Sequence, residues 1–76
     1  MSFQAYLDTI EAKTGKSPAD LRAMAATRGW TWEGRLAPEV KPMTIVAALK
    51  QELGLGHGHA MAVVALLKGT KQEGDA

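Results

Sequence analysis

Gly54-Leu55-Gly56-His57-Gly58-His59-Ala60-Met61-Ala62-Val63-Val64-Ala65-Leu66-Leu67-Lys68-Gly69 is the stretch whose character decides the architecture. From about His57 or Gly58 to Lys68 the residues are apolar nearly all round, and Gly69 closes the segment. A helix with no polar face has to be covered on most sides, by other helices of the chain or by another subunit. A run of eight apolar residues, Ala60 to Leu67, is too short to cross a bilayer, which takes roughly 20. The segment is therefore expected to be a largely buried fourth helix, delivered by a short glycine-rich corner from a third.

Working outward, that third helix is expected from about Met43 to Leu53, with Ile45, Val46, Leu49 and Leu53 on one face and Gly54 ending it. Upstream, Ser17-Pro18-Ala19-Asp20 combines an N-cap hydroxyl, a proline suited to the first helical position and a carboxylate that favours the positive helix end. The helix it starts carries Leu21, Met24 and Ala25 inward and runs to about Arg28-Gly29. Ser2 caps a first helix whose Phe3, Tyr6, Leu7 and Ile10 follow the spacing of one buried face, and Gly15 stops it. Between Gly29 and Pro42 lie two further breaks, with Trp30 and Trp32 alternating. This interval reads as a long ordered loop with room for a short extended piece. The fold class is thus all-α, a small four-helix domain over residues 1–69 with a long loop between helices 2 and 3. Residues 70–76 are expected to be a frayed polar tail.

Composition narrows the function classes. A chain of 76 residues has room for one modest core, because a domain of this size buries only roughly 60% of its unfolded surface. It contains no cysteine, which excludes disulfides and thiolate zinc sites. Met1-Ser2-Phe3-Gln4 lacks the basic and apolar regions of a secretory signal, so the expected location is cytoplasmic, with no membrane partner. The net charge of +1 is too small to announce a nucleic-acid binder. Residues 13–50 carry seven basic against three acidic residues, a local excess of +4 that leaves nucleic acid a weakly supported partner.

Chemistry is best sought where Gly54 to His59 enters the fourth helix. A helix amino end presents unpaired N–H groups and a partial positive charge, both suited to phosphate or carboxylate. Glycines let a ligand approach the backbone, and imidazoles add donors. Gly56, His57, Gly58 and His59 are the candidate ligand-binding residues, with Arg28 and Arg35, and also Lys41, as supporting cations. Alternatively, these glycines and histidines only cap, turn and pack the chain. The segment lacks the spacing of a dinucleotide fingerprint and the lysine of a P-loop, so no cofactor is expected. No metal site is expected either, since histidines two apart on a helix project to different sides. No serine, threonine or cysteine lies in a recognisable nucleophile elbow, and Ser2 and Ser17 serve as caps. The protein is therefore not expected to be an enzyme.

Trp30 and Trp32, flanked by Arg28, Glu33 and Arg35, are candidate partner-binding residues, as a hot spot for a protein or a stacking platform for a base. More often, in a domain this small, one tryptophan is simply the plug of the core. Two function classes follow. The first is a non-enzymatic binding module holding an anionic ligand at the amino end of helix 4. The second is a structural or protein-interaction module, self-associating through helix 4 or the tryptophan face.

Ser2-Phe3-Gln4-Ala5-Tyr6-Leu7, Lys13-Thr14-Gly15-Lys16-Ser17-Pro18 and above all Gly54-Leu55-Gly56-His57-Gly58-His59-Ala60-Met61-Ala62 resemble a family of short bacterial proteins described only as a domain of unknown function. The resemblance spans roughly Ser2 to Gly69. It implies a bacterial cytosolic helical domain with residues 54–62 as its signature, and it assigns those residues no role.

Overall fold

The computed structural model describes residues 2–75. The described residues form four helices and one small hairpin: α1 (Phe3–Thr14), α2 (Pro18–Thr27), β1 (Thr31–Trp32), β2 (Arg35–Leu36), α3 (Pro42–Leu53) and α4 (His57–Lys68). None of these helices is long and apolar enough to cross a membrane.

Local chemistry explains where each helix begins. The Ser2 hydroxyl accepts from the Ala5 amide, and Ser17 and Asp20 form a reciprocal capping box around Pro18. Pro42, which has no N–H to leave unpaired, opens α3. At the other ends, Gly54 and Gly69 adopt left-handed conformations (φ 68° and 80°) that an L side chain resists.

Packing then follows from the apolar pattern. α4 lies against α3, α1 and α2 and touches β2. Its buried residues are Ala60, Ala62, Val63, Val64, Leu66 and Leu67. Phe3, Leu7 and Ile10 of α1, Leu21 and Ala25 of α2, and Ile45, Val46 and Leu49 of α3 join them in one core. No polar or charged residue is buried among the described residues, so this core is held by apolar contact alone.

Two segments lie outside the four helices. The interval after α2 contains a short extended piece, where Thr31 pairs with Leu36 and Trp32 with Arg35 in an antiparallel hairpin. Its two-residue turn, Glu33-Gly34, has positive φ at both positions (54° and 77°), the backbone twist that matches a tight hairpin. The residues beyond Gly69 lie against α1 and α2 as far as Asp75. The Gln4 amide donates to the Asp75 carbonyl (3.2 Å), and the Gly74 amide donates to Gln4 Oε1 (2.8 Å). Arg22 donates both guanidinium nitrogens to Glu73, at 2.7 and 2.6 Å. The tail thus satisfies one of the amides that a helix start leaves without a partner.

Arg22 also sets the acid behaviour of this contact. Its hydrogen bonds hold the Glu73 carboxyl at about 2, down from the ordinary 4.5. A carboxyl whose pKa is depressed on folding stabilises the docked state above its ordinary value and loses that contribution as pH falls toward the lowered one. Arg22→Ala is expected to return the Glu73 titration, followed by carboxyl NMR, toward 4.5 and to speed exchange of the Gly74 amide. A Glu73 midpoint left near 2 would show that the pair does not hold the tail.

Candidate functional site

The α3–α4 corner is built by one buried residue between two exposed glycines. Leu55 is 3% exposed and anchors the turn, while Gly54 and Gly56 stand in solvent. Gly56 is the N-cap of α4, in extended conformation (φ −73°, ψ 167°), and it has no side chain to cap with. The Ala60 amide reaches the Gly56 carbonyl at 2.9 Å, which starts the helical ladder. The amides of His57, Gly58 and His59 have no acceptor among the described residues, so the first turn of α4 presents three free donors.

Gly56 and Gly58 are not demanded by the fold. A Cβ added at Gly56 or Gly58 would meet nothing within 4 Å, and neither residue has a positive φ. Gly58 is therefore not there to let helices pack closely. Glycine in a helix costs up to about 1 kcal/mol relative to alanine, and no internal contact offsets it.

The two histidines diverge. His57 is exposed, whereas His59 is half-buried, its ring edge-on to Tyr6 of α1 at 5.1 Å between centroids and 75° between planes. His59 Nε2 is shut away from solvent with no hydrogen-bond partner. A buried polar atom without a partner is uncommon, because it forfeits its bonds to water and gains none. Among the described residues no group of three or more His, Cys, Asp or Glu is placed to hold a metal.

The two supporting arginines have other partners or places in the fold. Arg28, the C-cap of α2, is bound through both guanidinium nitrogens to Glu52 of α3, with Nη1 2.7 Å from Oε2. That pairing lowers the Glu52 carboxyl and raises the Arg28 guanidinium above its already high value, so the two charges neutralise each other. Arg28 also lies over the Trp30 ring, Cζ 5.3 Å from its centroid. Arg35 stands on the hairpin, which meets α4 at its other end: Thr31 and Gly34 share a cleft with Leu66 and Leu67. Nine residues of helix, about 13 Å, separate Leu66 from His57.

The tryptophans divide equally sharply. Trp30 is buried in the core at 8% exposure and so falls out of any partner surface, while Trp32 is 73% exposed. Sequence reasoning did not single out Tyr6 as a neighbour of the site. Its place in the inward spacing of α1 was visible, but only packing sets its ring against His59.

Comparison with curated proteins and with solved structures finds no match. A protein family does match, over residues 2–69, and its description is Domain of unknown function (DUF4287). Nearly the whole helical domain lies within that span, including the α3–α4 corner and the hairpin, and the chain belongs to this family.

Proposed function

We propose that the domain is a non-enzymatic binding module that holds a small anionic ligand, bearing phosphate or carboxylate, at the amino end of α4. One observation carries this proposal: α4 starts with three free amides, no side-chain cap, and two exposed glycines that neither packing nor backbone conformation requires. Three convergent N–H donors and the positive end of a 12-residue helix suit an oxyanion. The missing Cβ atoms leave room for it against the backbone. The exposed His57 imidazole is placed at the first helical position to add a donor. His59 is better seen as positioning this turn through Tyr6, and Arg28 and Arg35 take no part. No catalytic step is assigned, since both serines are engaged as helix caps.

The test is an amide NMR titration with inorganic phosphate, a mononucleotide and a short oligonucleotide. Saturable shifts are expected at Gly56 to Ala60, and unmoved resonances at millimolar phosphate would sink the proposal. His57→Ala should weaken binding by roughly tenfold, the loss of one hydrogen bond to a charged group. Gly58→Ala separates binding from folding, because it should raise stability by roughly 0.5 kcal/mol through helix propensity while lowering affinity. Equal affinity in Gly58→Ala and the parent would return Gly58 to a purely structural role.

A further inference from the structure

At the far end of α4, and independently of the anion site, the hairpin carries a surface that the fold does not use. Residues directly opposite in an antiparallel pair share a face, and successive residues alternate. Leu36 accordingly packs against the core, while the Trp32–Arg35 pair stands outward. Trp32 is held there on a two-residue turn with 73% of its surface in water. Beside it lies a shallow cleft of about 420 Å³, lined by Trp32, Glu33, Arg35, Leu36, Ala37 and Pro38. The turn itself is costly: Glu33 has φ 54°, a conformation that favours glycine or asparagine at the first position of such a turn. Neither Glu33 nor Arg35 makes an ion pair among the described residues.

We infer that the hairpin is a self-complementary docking face, through which two copies of this chain associate about a two-fold axis with each Trp32 entering the cleft of the other. Knob and hole lie on one patch, and so do an unpaired anion and an unpaired cation. A two-fold contact is isologous, so each residue of the patch meets its complement on the second copy: Glu33 meets Arg35 there, and Arg35 meets Glu33. An acidic peptide would leave Glu33 facing a like charge, a basic one would do the same to Arg35, and nucleic acid would be repelled by Glu33. A second copy satisfies both charges at once. The six residues that line the cleft fall well short of the roughly 20–30 per side of a stable interface, so the dimer is a transient one that forms at high concentration.

The test is sedimentation equilibrium in phosphate-free buffer from micromolar to millimolar protein. The average mass is expected to climb toward twice that of the monomer, and Trp32→Ala to hold it at the monomer. Glu33→Arg and Arg35→Glu should each weaken association at least about tenfold by setting like charges face to face. Mixed in equal amounts, those two variants should recover it as a heterodimer. Arginine is no worse than glutamate at the left-handed position and both sites are exposed, so unchanged thermal midpoints check that the variants fold. A monomer at millimolar concentration overturns the inference. So does a mixture that associates no better than its components, or a dimer that Trp32→Ala leaves intact. Saturable binding of a charged peptide or an oligonucleotide to a chain that stays monomeric would also overturn it, and would name the other occupant.

Discussion

Trp30→Ala is expected to remove a large part of the stability of this domain, while Trp32→Ala, two residues away, changes it by less than about 0.5 kcal/mol. Trp30 is buried at 8% exposure within the common core, and the Arg28 guanidinium closes over its ring. Its backbone is fixed on both sides. The Trp30 amide donates to Ala25 at 2.9 Å, and its carbonyl accepts from Ala37 at 2.8 Å. The surroundings therefore cannot collapse freely into the space an indole leaves. Truncating a buried tryptophan costs about 3–5 kcal/mol. A chain of this length is stable by only about 4–11 kcal/mol. Urea denaturation followed by far-UV circular dichroism checks it. With a slope of about 1 kcal/mol per molar, the midpoint should fall by about 3 M or more. A larger loss for Trp32→Ala than for Trp30→Ala would contradict the packing described here.

Leu49→Ala should follow closely, at about 2–5 kcal/mol. Leu49 is 1% exposed on the inner face of α3, the helix most intimately packed against α4. Its carbonyl also accepts the Gly54 amide, and the Leu55 amide approaches it at 3.5 Å, so residue 49 supports the corner that presents the anion site. Exposed Lys50, the next residue, is the control, and Lys50→Ala should stay within about 0.5 kcal/mol. Native-state hydrogen exchange adds a local readout: Leu49→Ala is expected to open the amides of α3 and α4 together. A cost below about 1 kcal/mol would mean that the α3–α4 seam is not what holds the core.

Much of this architecture is legible in single residues. Ser2, the Ser17-Pro18-Asp20 start and Gly54 place helix boundaries because caps act through neighbours three or four residues away, a range that sequence spacing captures. The corner from Gly54 to His59 stood out for the same reason. The hairpin was harder to see because its turn carries glutamate where glycine or asparagine is the familiar signal, and its strands are two residues each. The docked tail left no local trace, since Arg22 and Glu73 are 51 positions apart.

The sequence by itself determined the four helices, their ends and the apolar character of α4, since propensity, capping and periodicity are properties of short stretches of chain. Only the tertiary structure decided which tryptophan is core and which is surface. It alone showed that Arg28 is neutralised by Glu52, 24 positions away, and that Gly58 has open space around it. The reason is physical: burial and ion pairing belong to a position in three dimensions. Trp30 and Trp32, or His57 and His59, are each only two residues apart yet end in opposite environments, because α1, α2 and α3 cover one member of each pair or leave it bare.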